Sequence, residues 1–183
     1  MRVTTSTIAG VRVFTPTPHV DDRGFFSRTF DAAVVRDAGI DPCGFVQDSV
    51  SRSVLGVIRG LHVRTGAGES KLVRCSAGAI YDVVVDLRPD SPTFGRWESF
   101  DLTGDEPVSV YIPAGCAHGF QALTATADIS YRIDREHDPS EDLTIAHDDP
   151  DLGIAWPLPV TIMSEKDRTA PRLKEVRALL ARS

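Results

Sequence analysis

The sequence has few cysteines, no long apolar run and no excess of positive charge. Its three cysteines, Cys43, Cys75 and Cys116, are odd in number and lack paired spacing, which favours reduced thiols in the cytoplasm over a disulfide framework. The N-terminus has no apolar core of signal-peptide length, and no other stretch is apolar enough to span a bilayer. A net charge of −6 disfavours nucleic-acid binding but allows a local basic pocket for a small anion. We therefore expect a soluble intracellular protein.

The chain also lacks internal repeats, low-complexity runs and any linker that would divide it. Its 183 residues suffice for one sizeable core but not for two ordinary domains. Hydrophobic residues make up 42% and charged residues 25%, which is an ordinary globular composition. We predict a single domain over residues 1–183.

Short β-patterned segments follow one another through the middle of the chain. "AIYDVVVDLR" (Ala79–Arg88) is rich in β-branched residues, and turn-forming residues flank it on both sides. Alternation places on one of its faces Tyr81, Val83, Val85 and Leu87. Further strands are predicted at Arg96–Leu102, Val108–Ile112, His118–Leu123 and Ile129–Ile133. Such closely spaced strands favour an all-β jelly roll over β-α-β units.

Helical patterns occur only near the two ends of the chain. "DAAVVRDAG" (Asp31–Gly39) ends in a glycine that is typical of a helix stop. "APRLKEVRALLARS" (170–183) is amphipathic, and its apolar face is predicted to hold Leu173, Val176, Leu179 and Leu180. We expect these helices to be small peripheral additions to the β domain.

Two histidines lie in β-patterned surroundings, His62 in "RGLH" and His118 in "PAGCAHGF". The pair is similar to the two histidine-bearing motifs of cupin jelly rolls. Metal-binding cupins have a His-x-His pair in the first motif, whereas this chain has Arg64 at the partner position. Glu69 is a possible third ligand, but a nearby cation disfavours a metal. We therefore predict no metal, and His62 as a proton carrier.

The local pattern leaves two readings open for several of these residues. His62 is either a general base or a packed histidine, and the cations Arg59 and Lys71 beside it either bind an anionic substrate or lie on a solvated strand edge. Tyr131 shares a strand face with Ile129 and Ile133, so local pattern alone makes it a core residue.

Ordered segments along nearly the whole chain resemble those of the sugar-nucleotide epimerases acting on thymidine-diphosphate 4-keto-6-deoxyhexoses, typified by dTDP-4-dehydrorhamnose 3,5-epimerase. The matching segments are "DDRGFF", "FVQDSVSRSVLGVIRGLH", "KLVRCSAGAIYDVVVDLRPDSPTFGRW", "IPAGCAHGF", "DDPDLGIAWP" and "SEKD". The resemblance implies a cupin-type jelly roll, a homodimer, and catalysis on a dTDP-4-keto-6-deoxyhexose without metal or organic cofactor.

The resemblance also implies roles for individual residues. His62 is similar to the family's base, Asp167 of "SEKD" to its paired carboxylate, and Tyr131 of "SYR" to the acid on the opposite face of the sugar. Without the resemblance, Asp167 and Lys166 read as a helix start capped by Ser164. Lys71 and His118 are similar to the family's substrate contacts near the keto oxygen and the phosphates. The residues similar to its nucleotide or sugar ligands are Arg23, Gln47, Asp48, Arg59 and Lys166.

These residue types suit an epimerisation. A proton beside a ketone is weakly acidic, so its removal needs a positioned base and a donor for the enolate oxygen. Inversion then needs a second proton from the other face. Arg59 and His62 have opposite parity on a regular strand, so both can face one pocket only if Gly60 bends or bulges it.

Four departures from the family pattern concern the sugar pocket. Arg28 replaces the usual Glu and Ser49 the usual Asn, "LHYQ" becomes "LHVRTGAG", and "ERGI" becomes "EDLTI", with Leu143 and Thr144. These changes leave open epimerisation at C3 alone or C5 alone, as in natural-product sugar pathways. A 3,4-ketoisomerase, a metal-dependent cupin dioxygenase and a non-catalytic sugar-binding jelly roll are the competing hypotheses.

Overall fold

The structure, a computed structural model, describes residues 1–180, and within that range most of the regular secondary structure is β-strand. The strands are β1 (Arg2–Thr5), β2 (Arg12–Thr15), β3 (His19–Asp21), β4 (Gly24–Phe26), β5 (Gln47–Val54), β6 (Ile58–Arg64), β7 (Lys71–Ala77), β8 (Ala79–Asp86), β9 (Trp97–Thr103), β10 (Ser109–Ile112), β11 (Cys116–Ala122), β12 (Thr126–Ile133) and β13 (Asp142–Thr144). The helices are α1 (Ala32–Asp37), α2 (Glu165–Arg168) and α3 (Leu173–Leu180), with a short 3-10 turn at Pro139–Glu141.

The strands form two antiparallel sheets and a separate hairpin. The first sheet has the order β1-β2-β10-β7-β12-β5, the second has the order β13-β6-β11-β8-β9, and β3 pairs with β4 alone. All five strands predicted from the sequence form, with ends that differ by up to three residues. The predicted all-β jelly roll with small helices is confirmed.

A hydrophobic core lies between the two sheets. Val73 and Ile129 enter it from the first sheet, and Ile80, Val84 and Phe120 from the second. A second core covers the outer face of the second sheet, where the predicted apolar face of β8 packs against α3. Strand β8 is therefore buried on both of its faces, which explains its nearly continuous run of β-branched residues.

The two predicted helical segments both contain helices. Asp31 caps α1 by accepting hydrogen bonds from the backbone N–H groups of Ala33 and Val34. In α3 the buried side chains include Leu173 and Leu180, but Leu179 is half exposed, so its placement on the apolar face is wrong. At 100° per residue, position 179 falls just beyond the edge of the buried stripe. Residues 181–183 of the predicted segment lie outside the described residues.

None of the helices within residues 1–180 is long and apolar enough to cross a membrane.

Strand β6 carries a bulge at Gly60. His62 lies opposite His118 on β11, whereas Arg59 lies opposite Phe120, so β6 has one extra residue over that interval. Gly60 has a φ of +133°, and a Cβ atom there would lie 2.5 Å from the Cα of Gly119. The expected bend is confirmed, and it turns Arg59 and His62 towards the same cavity.

Candidate active site

A cavity of about 780 Å³ opens between the sheets. Strands β5, β7 and β12 line one wall, β6 and β11 line the other, and residues 162–167 close one side. This volume suits a drug-sized ligand. Seven of the ten predicted site residues line the cavity, namely Arg59, His62, Lys71, His118, Tyr131, Lys166 and Asp167.

His62 and Asp167 form a hydrogen-bonded pair at the cavity wall. His62 Nε2 lies 2.7 Å from Asp167 Oδ1, with side-chain exposures of 42% and 4%. Asp167 sits in the first turn of α2, where its backbone N–H donates to Ser164 Oγ, so the helix-start reading also holds. Burial alone would raise the pKa of Asp167, but hydrogen bonds from His62 and from the Gly60 N–H outweigh it and lower that pKa. The carboxylate therefore holds Nε2, which leaves Nδ1 of His62 for a substrate.

Tyr131 reaches the same cavity from the opposite sheet. Its hydroxyl lies 3.1 Å from Ser51 Oγ, and its ring packs against the core that contains Ile129. Burial, aided by the charge of Asp82, raises the pKa of Tyr131 to about 12 against the opposing effects of Ser51 and Arg59. The phenol is therefore neutral near pH 7 and has a proton to donate.

His118 forms a second imidazole–carboxylate pair beside the first. It is the direct cross-strand partner of His62, and its Nε2 lies 2.6 Å from Oδ1 of the fully buried Asp82. The other Asp82 oxygen, Oδ2, has no hydrogen-bond partner within residues 1–180. The Tyr131 ring stands edge-on to the His118 ring at 6.2 Å.

Five cationic side chains of residues 1–180 line the cavity, and the three predicted to bind substrate differ in how far they are neutralised. Arg59 donates to Ser53 Oγ at 3.0 Å and to the Arg52 carbonyl at 3.1 Å, and no carboxylate of residues 1–180 lies within ion-pair distance of it. Lys71 Nζ pairs with Glu69 at 2.9 Å, and Lys166 Nζ with a carboxylate on β13 at 3.2 Å. Arg59 is therefore the best candidate to bind an added anion.

The three residues considered as possible metal ligands do not form a metal site together. Glu69, the possible third ligand beside His62 and His118, instead contacts the cations Arg64 and Lys71. In the part of the chain that the structure describes, no group of three or more His, Cys, Asp or Glu side chains is placed to hold a metal ion.

Residues 5–175 match the family model described as dTDP-4-dehydrorhamnose 3,5-epimerase. The chain belongs to this family. It is accordingly an isomerase of the epimerase type, and the jelly roll is of the cupin type.

Relatives within this epimerase family cover nearly the whole chain. The dTDP-4-dehydrorhamnose 3,5-epimerase of Pseudomonas aeruginosa is 41% identical over 169 residues, which cover 92% of this chain and 93% of that protein. The Legionella pneumophila enzyme, solved in complex with dTDP-4-keto-L-rhamnose, is 39% identical with a TM-score of 0.92, covering 98% of this chain and 96% of that one. ChmJ, a 3'-monoepimerase from Streptomyces bikiniensis solved with dTDP-quinovose, is 36% identical with a TM-score of 0.89, covering 95% and 89%.

Three residues matched to the epimerase family lie outside the cavity of this chain. Arg23 sits in the β3–β4 hairpin, where its guanidinium pairs with Asp21 in solvent. Gln47 and Asp48 begin the edge strand β5, and Asp48 Oδ2 lies 3.6 Å from Arg132 Nε. Within residues 1–180, a single chain therefore does not bring these three side chains to the candidate site.

The sequence analysis did not identify two residues that contact side chains of the candidate site. Asp82 holds His118, and the signal that could have found it is a charged residue within the β-branched run of β8. Ser51 contacts the Tyr131 hydroxyl, and no local pattern marks it. Its identification requires the pairing of β5 with β12.

Proposed function

We propose that the chain epimerises a dTDP-4-keto-6-deoxyhexose at C3, C5 or both, in deoxysugar biosynthesis. The observation that carries the proposal is that a carboxylate-held imidazole, His62, and a neutral phenol, Tyr131, face one cavity from opposite sheets. A sugar between them presents one ring face to a base and the other to an acid. Inversion of a carbon beside a ketone requires this arrangement.

His62 removes the proton from the carbon next to the ketone. Its Nδ1 accepts the proton, while Asp167 keeps Nε2–H in place and stabilises the imidazolium that forms. The C–H electron pair becomes part of an enolate whose negative charge lies on the former keto oxygen. This charge needs a donor, and the cavity offers Lys71 and His118.

Tyr131 completes the inversion by giving its proton to the opposite face of the same carbon. The raised pKa keeps the phenol protonated until the enolate forms. Arg59 and Lys166 bind the diphosphate, whose negative charge explains why an acidic protein has a cation-rich cavity. We propose no metal and no organic cofactor, since side chains alone supply each proton transfer.

We further propose that the enzyme is a homodimer. Large apolar side chains are exposed on the β3–β4 hairpin, with Phe26 among them, and along the edge strand β5, with Val50 among them. Both surfaces would be covered by a second copy. Because Arg23 lies on this hairpin and Gln47 and Asp48 on this strand, we propose that dimerisation brings these three nucleotide ligands to a cavity.

We propose that residues 1–183 form one cytoplasmic domain. Support comes from the core shared by the two sheets and from Cys43, Cys75 and Cys116, which are free thiols in the structure.

Epimerisation at one carbon only is the second candidate. Two of the departures from the family pattern lie at the cavity or next to a residue that lines it. Leu143 lines the cavity, and Ser49 is the cross-strand partner of Tyr131. Such changes can alter which carbon lies within reach of both the base and the acid. ChmJ, which is described as a 3'-monoepimerase, is a neighbour of this kind.

Proton NMR of dTDP-4-keto-6-deoxyglucose incubated with the enzyme in D₂O tests these proposals. Loss of the proton signal at C3, at C5 or at both identifies the carbon that exchanges its proton, and the configuration of the product identifies the carbon that is inverted. A ketoisomerase would instead move the carbonyl to C3, and a sugar-binding protein would leave every signal intact. Either result contradicts the epimerase function.

A further inference from the structure

Two segments that depart from the usual family sequence meet in one wall of the cavity. Arg64 of "LHVRTGAG" ends β6, and Asp142 of "EDLTI" begins β13. They are direct partners across the two strands, with Arg64 Nε 3.6 Å from Asp142 Oδ1. The departure at Arg64 is therefore joined by an ion pair to the segment that carries the departures Leu143 and Thr144.

Arg64 is connected to Lys71 through a single carboxylate. Its Nε lies 2.8 Å from Glu69 Oε2, and Lys71 Nζ lies 2.9 Å from the other oxygen, Oε1. The side chains of Arg64, Glu69 and Lys71 are 5%, 7% and 13% exposed, so water screens their charges poorly. Within residues 1–180 no hydrogen bond reaches Glu69 Oε2, so the charge of Arg64 is what compensates that oxygen.

The guanidinium is fixed on its other side by the segment that follows β12. Its Nη1 donates to the Glu136 carbonyl at 2.9 Å, and its Nη2 contacts Nδ1 of His137. Because the Arg64 guanidinium is held at several points, it fixes the Glu69 carboxylate in one position. Glu69 in turn occupies one of the three donors of the Lys71 ammonium, which leaves the other two for the cavity.

We propose that Arg64 is a positioning residue for Lys71 and acts through Glu69. The inference rests on the proposed function for the role of Lys71 at the keto oxygen. With Arg64 present, the negative charge of Glu69 interacts with two cations. Part of the positive charge of Lys71 therefore remains to stabilise the keto oxygen when that oxygen becomes negative. Without Arg64, the buried carboxylate draws the ammonium onto itself and away from the substrate.

The lysine ammonium groups provide a test that does not depend on activity. The chain has three lysines, Lys71, Lys166 and Lys174, so their ¹⁵N side-chain resonances can be assigned by single Lys→Arg variants. We expect Arg64→Gln to shift the Lys71 ammonium resonance and slow its exchange with water, because Glu69 then binds the ammonium more tightly. Glu69→Gln, which releases the ammonium, should shift the resonance and speed that exchange. An unshifted Lys71 resonance in either folded variant would overturn the inference.

A matched control removes an arginine ion pair elsewhere. Arg172 pairs with Asp148 at 2.7 Å on the surface, so Arg172→Gln should leave the Lys71 resonance where it is. A Lys71 shift of equal size in this control would show a general effect of charge removal and would also overturn the inference.

Kinetics test whether the effect passes through Glu69. Arg64→Gln should lower kcat for exchange roughly ten- to a hundredfold with KM nearly unchanged, since a small displacement of Lys71 weakens transition-state stabilisation. Arg64→Lys, which keeps the charge, should recover most of this loss. In the Glu69→Gln background, Arg64→Gln should cost little more, whereas losses that multiply would overturn the route through Glu69. A wild-type chain that exchanges no sugar proton would contradict the proposed function, and the Lys71 resonance would still decide the inference about Arg64.

Discussion

We expect Tyr131→Phe to separate proton exchange from inversion. The substitution removes a hydroxyl that contacts Ser51 Oγ at 3.1 Å and leaves the ring packed against the interior core. Loss of one such hydrogen bond costs about 1 kcal/mol of unfolding free energy, so the variant should fold.

The kinetic effect should be much larger, because the phenol is the proton donor. With a pKa of about 12 in the folded protein, Tyr131 is protonated throughout the neutral range, so the wild type always has its acid ready. Phenylalanine has no proton to give. Inversion should therefore fall about a hundred- to ten-thousand-fold, which is roughly 3–5 kcal/mol of activation free energy.

Exchange should survive in this variant, because His62 still removes the proton. The enolate is then reprotonated by the imidazolium on the face that lost the proton, so deuterium enters with retained configuration. One NMR sample in D₂O reports both the label and the configuration. Ser51→Ala is the matched control, since it removes the partner of the hydroxyl and keeps the phenol, and its ratio of inversion to exchange should remain high. Normal yields of inverted product from Tyr131→Phe would show that another group supplies the second proton.

Three further predictions test the base, the absence of a metal requirement, and the pH dependence of stability. His62→Ala should lower exchange at every sugar carbon about a hundred- to ten-thousand-fold while calorimetry shows dTDP binding intact, and wild-type exchange would reveal another base. Protein stripped with a chelator should exchange substrate protons as fast as untreated protein, and activity that returns only with a divalent ion would contradict the mechanism. Burial would raise the pKa of Asp86, but hydrogen bonds from Arg88, Ser91 and Thr93 outweigh it and lower the pKa to about 2. Asp86 therefore stabilises the fold above its unfolded pKa, and about 2 kcal/mol should be lost as the pH falls from 5 to 2. Urea unfolding of Asp86→Asn should lack this part of the pH dependence, and equal slopes for both proteins would refute the assignment.

The strands could be predicted from the sequence because their signal is local. In β8, alternation of apolar residues and flanking turn residues identify the strand and the face that packs against α3. Local periodicity predicted burial less accurately at the edge of the apolar face of α3, where Leu179 is half exposed. Burial at that edge depends on how closely the neighbouring sheet approaches the helix.

The site was only partly predictable, because its contacts join distant parts of the chain. The resemblance pointed to His62 and Asp167, whereas the local pattern around Asp167 indicated a helix start. The partnership of Asp82 with His118 depends on the register between β8 and β11, which no local pattern states. The contact of Asp142 with Arg64 likewise arises from the pairing of β6 with β13.

The bulge in β6 also bears on how the family can vary. Gly60 and Gly119 face each other so closely that a methyl group on Gly60 would lie 2.5 Å from the Gly119 Cα, and one on Gly119 would lie 3.2 Å from the Gly60 Cα. Neither glycine carries a functional group, yet their contact is what lets Arg59 and His62 point the same way. In a saturation mutagenesis experiment these two positions should tolerate as few replacements as the base itself. Positions that tolerate no substitution would then include those that the path of the backbone requires, in addition to those that take part in the chemistry.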